Sequence, residues 1–142
     1  MELDRTGLEV LTRAECLALL RTSLVGRVIV TDRALPAAFP VNFAMLDDDV
    51  VFRTTAGSKL EVASAQAVVA FEVDDLDPIG QTGWSVLIQG LARRIQDPAD
   101  VTRAGTLPFQ PWAPGKRLEF MRISSELVSG RRLLRQAPAF VY

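Results

Sequence analysis

"VVFRTTAGSKL", residues 50–60, passes from one kind of secondary structure to another through a single glycine. Its opening residues alternate, with Val51, Arg53 and Thr55 on one side and Val50, Phe52 and Thr54 on the other, as a strand requires. Ser58 and Glu61 then stand in S-x-x-E spacing, which predicts a helix start with Ser58 as N-cap and Glu61 reaching back to the cap backbone. Gly57 permits the turn between them. The same residues read a second way. A turn entering a helix offers free backbone N–H groups, and Arg53, Thr54, Thr55, Ser58 and Lys59 are the side chains that a dianionic phosphate needs. Taken alone, the stretch leaves the capped corner and the anion site both open.

On its N-terminal side, "LVGRVIVTD" (24–32) and "FPVNFAML" (39–46) read as strands joined by a Pro-containing connection, and "DDD" (47–49) as the polar turn of a hairpin. The three aspartates lack the spaced ligands of a calcium loop. Before them, "TRAECLALLRTS" (12–23) has Thr12 and Glu15 in capping-box spacing and puts Cys16, Leu17 and Leu20 on one helical face. On the C-terminal side, "SKLEVASAQ" (58–66) is a short helix, "AVVAFEVDD" (67–75) a buried strand and "LDPIGQTG" a loop. "WSVLIQGLARRIQD" (84–97) is a long strand interrupted by Gly90, a mark of a bulge, a bend, or close approach by another backbone or a ligand. Pro98 after Asp97 starts a capped helix to Leu107, residues 108–116 form a Pro-rich loop, and "RLEFMRIS" and "ELVSGRRLLR" close the chain as strands. Six or seven mostly antiparallel short strands with one to three inserted helices make the chain mainly β, a barrel or sandwich.

Composition bounds the chemistry. A chain of 142 residues suggests one domain, and 16 basic against 17 acidic residues give no reason to expect nucleic acid or an anionic membrane as partner. No histidine occurs, which excludes Ser-His-Asp and Cys-His catalysis and histidine-ligated metal or haem. The single Cys16 excludes an intramolecular disulfide and fits the reducing cytoplasm. "MELDRTGLEV" at the start has no apolar run, and no stretch approaches the ~20 apolar residues of a membrane span. What survives is carboxylate, lysine or tyrosine chemistry, and reactions carried by an organic cofactor. Trp84 reads as filler of a barrel end, Trp112 as either a lid over a planar ring or a peg for its loop. Asn42 needs a backbone group or a ring carbonyl as partner. Arg131 and Arg132 read as a solvated strand end, and Glu72 and Asp74 as a solvated pair on one strand face.

In their order and spacing, "GRVIV", "PVNFA", "VVFRTTAGSKL", "VAFEVDD", "GWSVLIQG", "PWAPG" and "VSGRRL" resemble the pyridoxamine 5'-phosphate oxidase-like proteins, most closely their nitroimidazole-resistance-related branch, over roughly residues 12–133. The resemblance implies a split β-barrel and a homodimer, with FMN between subunits and a small-molecule substrate. It places Arg53, Thr54, Thr55, Ser58 and Lys59, with Leu60 closing the stretch, around the phosphate, and Pro40, Val41, Asn42 and Phe43 along the isoalloxazine. Trp84, Gln89 and Trp112 would come from the partner subunit. The missing histidines remove the substrate motif of vitamin B6 oxidation and the functional histidine of nitroimidazole reduction. The expectation is therefore a flavin-dependent oxidoreductase of unassigned substrate, the alternatives being a deazaflavin-dependent reductase of the same fold or a non-catalytic flavin-binding dimer.

Overall fold

The order of strands in the sheet is not their order in the chain, and one long strand is the reason. The structure, a computed structural model, describes residues 1–109 and 118–134. After β1 (Glu2–Leu3), β2 (Glu9–Val10) and α1 (Arg13–Arg21), the chain runs β3 (Val25–Asp32), β4 (Leu35–Leu46), β5 (Asp49–Thr55), α2 (Lys59–Ser64), β6 (Ala67–Asp77) and β7 (Thr82–Arg94). α3 (Pro98–Gly105), β8 (Leu118–Ile123) and β9 (Leu127–Leu133) follow. The sheet order is β1-β2-β9-β7-β6-β3-β4-β5-β8, every pairing is antiparallel, and β8 also pairs with β7. That last pairing closes β3 to β8 into a barrel and leaves β9 as a branch.

β7 makes this possible by changing partner along its length. Gly83 to Gln89 pair with β9, and Ala92 to Arg94 pair with β8. At the change stands Gly90, where a Cβ would lie 1.8 Å from the Ser124 carbonyl oxygen. The chain passing from β8 to β9 crosses over β7 at that point. Of the three meanings open to a glycine inside a strand, close approach of backbone is the one realised.

Inside the barrel, Val28, Phe43, Phe52, Phe71, Ile88 and Met121 are fully or almost fully buried, Phe43 and Phe71 meeting edge to face at 4.8 Å. α1 adds Cys16, Leu17 and Leu20 to this core, and its Thr12 and Glu15 form the expected capping box. A smaller cluster outside the barrel packs Ala104 of α3 against Leu46, Val51 and Ile95. β4 begins at Leu35 rather than Phe39, because Arg33 and Ala34 alone make the turn, both with positive φ. Pro36 and Pro40 fit inside the strand because the odd-numbered neighbours carry the ladder to β3, as the Phe43 N–H to Leu24 carbonyl bond shows, so neither proline removes a bond. The aspartate turn is exposed at Asp47 and Asp48, as a solvated turn should be, and is also held by ion pairs: Asp48 meets Arg21, Asp47 meets Arg103, and Asp49 meets Arg122, each at 2.8 Å. Among the described residues no helix is long and apolar enough to cross a membrane.

Candidate functional site

β4 and β5 pair only as far as Phe43 and Phe52. Beyond them β4 stays with β3 and β5 stays with β8, so the two strands part and open a cleft of about 370 Å3. Phe39, Pro40, Val41 and Asn42 line one side, Arg53, Thr54 and Thr55 the other, and Ser58, Lys59 and Leu60 the end. The Phe43 N–H donates to the Leu24 carbonyl, so the alternation of an antiparallel strand turns the backbone N–H and C=O of Asn42 away from β3 and toward the gap.

The end of the cleft is a hydroxyl and cation cluster. Ser58 is the N-cap of α2: its hydroxyl accepts from the Glu61 N–H at 3.1 Å and lies 2.9 Å from the Thr54 hydroxyl, which is buried. Gly57, at φ +79, makes the turn before it. Lys59 reaches Asp32 at 3.2 Å, and with a side chain 65% exposed it stands at the mouth rather than in the floor. Arg53 lays its guanidinium over the Phe109 ring, 4.6 Å from the centroid. Burial lowers its pKa, yet an arginine keeps its charge in any protein. The arrangement is a strand edge beside two cations and three hydroxyls, which can hold a phosphate at one end and a flat group along the other.

The expected reach of Glu61 back to the cap is not made. Glu61 is buried and its carboxylate is paired with Arg94 of β7, which anchors α2 to the barrel and leaves the cap one-sided. Of the residues expected along a flat ring, Pro40, Val41 and Asn42 line the cleft, while Phe43 is 2% exposed and belongs to the barrel core. All five expected around a phosphate, Arg53, Thr54, Thr55, Ser58 and Lys59, line it, as does Leu60 at the end of the stretch. Trp84 is half-buried against the core at the far end of β6 and β7, beside Asp75 and Arg132, and Gln89 is exposed on the outer sheet face. Neither reaches the cleft of its own chain. Trp112 lies outside the described residues. Phe39 and Asp32 were not singled out by sequence. Phe39 stands two residues from Val41 and so shares its strand face; the Asp32–Lys59 pair joins residues too far apart in sequence for any pattern to reveal.

Arg131 and Arg132 do not end in solvent: Arg131 bonds Asp4 and Arg132 bonds Glu9, each at 3.0 Å, which fastens β1 and β2 to β9. Glu72 and Asp74 also have a partner, Arg27, at 3.3 and 3.8 Å.

Residues 12–135 match the family model described as pyridoxamine 5'-phosphate oxidase. The chain is 41% identical over 129 residues to an uncharacterized protein of Mycobacterium tuberculosis, covering 87% of this chain and 84% of that protein. Among solved structures it is similar to the FAD binding protein from Mycobacterium smegmatis, at 34% identity and a TM-score of 0.80, covering 89% of this chain and 100% of that one. It is also similar to a conserved protein of unknown function from Corynebacterium diphtheriae, at 32% identity and a TM-score of 0.77, covering 89% and 98%.

Proposed function

The chain belongs to the pyridoxamine 5'-phosphate oxidase family, and from that premise we propose that it is a flavin-binding oxidoreductase of the cytoplasm whose cofactor lies in the cleft between β4 and β5. The observation that carries this reading is the parting of β4 from β5 beside Arg53, Lys59 and three hydroxyls. Arg53 and Lys59 would supply charge-assisted hydrogen bonds to a 5'-phosphate, and Thr54, Thr55 and Ser58 neutral ones. Asn42 would offer its backbone groups to the ring. When bound, a flavin supplies hydride transfer to or from a small molecule; the protein's share is to hold the ring, fix its phosphate and exclude water.

FMN is the simplest cofactor that fits, and FAD shares the same 5'-phosphate. The name of the Mycobacterium smegmatis relative favours FAD as the second reading. A deazaflavin with a longer polyanionic tail fits less well, because the described lining of the cleft carries only Arg53 and Lys59 as cations, with Asp32 beside Lys59. The missing histidines argue against oxidation of vitamin B6. The active form is a homodimer, in which Trp84 and Gln89, remote from the cleft of their own chain, would reach the cleft of the partner. The test is the visible spectrum of the purified protein, with heat-released cofactor identified by chromatography. A flavin spectrum and released FMN support the reading, released FAD selects the second, and colourless protein whose Tm does not rise with FMN or FAD overturns both.

A further inference from the structure

Arg53 leaves β5 on the outer side of the barrel, away from its strand neighbours Phe52 and Thr54, which are both buried, Phe52 in the barrel core. The side it takes is apolar. Val51, on the same strand face, belongs to the small outer cluster with Leu46, Ile95 and Ala104. Phe120, directly opposite Arg53 on β8, packs against that cluster together with Phe109. The two rings lie 5.9 Å apart and are tilted by 36°. Phe109 carries the Arg53 guanidinium on its face, 4.6 Å from the ring centroid.

The position of the Phe109 ring is inherited from the docking of α3. Ala104 of that helix is fully buried in the outer cluster, the Leu107 N–H donates to the Ala104 carbonyl at 3.2 Å, and the Phe109 N–H donates to the Leu107 carbonyl at 2.8 Å. Arg103 ties the same helix to Asp47 in the β4–β5 turn. A ring holds a guanidinium through its face, whereas the N–H groups of the guanidinium radiate in its own plane. A stacked arginine is therefore held without using the donors that a phosphate needs. A long side chain fixed in this way loses less freedom when a ligand binds. The burial that lowers the pKa of Arg53 also strengthens the contact, because a cation–π attraction grows as water is withdrawn. Phe109 is not among the described residues that line the cleft, so it reaches a ligand there only through Arg53.

We propose that Phe109 is a positioning residue for the cofactor phosphate: it presents Arg53 to the cleft, with α3 as the strut that fixes its ring. The proposal rests on the phosphate reading of the cleft and adds to it a residue outside the cleft. The test is fluorescence titration of the full chain with FMN and with riboflavin, because the ratio of the two affinities isolates the phosphate. Phe109→Leu keeps an apolar side chain against the outer cluster and removes the ring face, so FMN should bind about three- to tenfold more weakly and riboflavin as in wild type. Phe109→Tyr retains the face and should hold the wild-type ratio. If Phe109 acts through Arg53, the double variant Arg53→Ala/Phe109→Leu should show the ratio of Arg53→Ala alone.

A wild-type ratio in Phe109→Leu, or the same loss in Phe109→Tyr as in Phe109→Leu, would overturn the positioning role. So would equal weakening of FMN and riboflavin in Phe109→Leu, the mark of a general support for the cleft, and so would a double variant that loses the full factor again beyond Arg53→Ala. In each of these cases a wild type that prefers FMN leaves the phosphate reading standing. A wild type that binds FMN and riboflavin equally, or binds neither, would overturn the phosphate reading and the role of Phe109 with it.

Discussion

Gly90→Ala should be among the most damaging single-methyl changes the chain can suffer. The added Cβ would sit 1.8 Å from the Ser124 carbonyl oxygen and 2.9 Å from its carbon, both backbone atoms that no rotamer change can move. The clash falls where β7 changes partner, so relief requires the β8–β9 connection to lift away, at the expense of the Ser124 N–H to Leu91 carbonyl bond of 3.0 Å. Overpacking of a tight site costs ~1–3 kcal/mol and occasionally more, and with rigid backbone on both sides we expect about 3 kcal/mol or more. For a chain of 142 residues that is a fall in Tm of roughly 10 °C. Gly105→Ala is the control. It lies at the end of α3 with nothing within 4 Å of its Cβ position, and alanine's higher helix propensity makes the change neutral or stabilising by up to ~1 kcal/mol. Urea and thermal unfolding of the two variants beside wild type measure the difference. A Gly90→Ala variant within about 0.5 kcal/mol of wild type would refute the crossing at β7 and the barrel closure that depends on it.

Ser58→Ala removes the cap of α2 and the partner of the buried Thr54 hydroxyl, and should cost about 1–2 kcal/mol in urea unfolding, while Lys59→Ala should leave the stability of the flavin-free protein within about 0.5 kcal/mol. Arg94→Ala strands the buried Glu61 carboxylate, so its Tm should fall below that of the double variant Arg94→Ala/Glu61→Leu, which removes the charge as well. Asp4 is held down to about 2 from 3.8, first by the Thr6 hydroxyl and further by backbone N–H groups and Arg131. Its contribution to stability is therefore present above the ordinary carboxylate value and lost as pH falls through about 2, so the Tm gap between wild type and Asp4→Asn should shrink from pH 4 toward pH 2.

Local patterning was enough to find every element whose cause is local. Apolar and β-branched runs, alternating in β5, located β3 to β9, the Thr12–Glu15 and Asp97–Pro98 signatures placed the starts of α1 and α3, and Gly90 announced a bulge, a bend or a close approach without deciding among them. What could not be read depends on partners distant in sequence. β1 and β2 have two residues each and are held by Arg131 and Arg132 from the far end of the chain. Glu61 had a plausible local partner in the cap and took Arg94, 33 positions away, instead. The cleft shows the same division. Its residues from Arg53 to Leu60 and from Pro40 to Asn42 were recognisable because each set is contiguous in the chain and matched a family pattern. That a cleft opens between them follows from β4 leaving β5 at Phe43, a pairing choice that no single strand encodes.

The most direct test of the central claim is the affinity of the wild-type protein for FMN relative to riboflavin, two ligands with one ring system that differ only by the phosphate. If Arg53, Lys59 and the hydroxyls of Thr54, Thr55 and Ser58 hold that phosphate, fluorescence titration should find FMN bound roughly ten- to a hundredfold more tightly, the worth of a charge-assisted contact of about 1.5–3 kcal/mol. Lys59→Ala should close most of that gap while leaving riboflavin unchanged. Equal affinity for the two ligands in the wild type would contradict the account and reduce "FRTTAGSKL" to a capped corner.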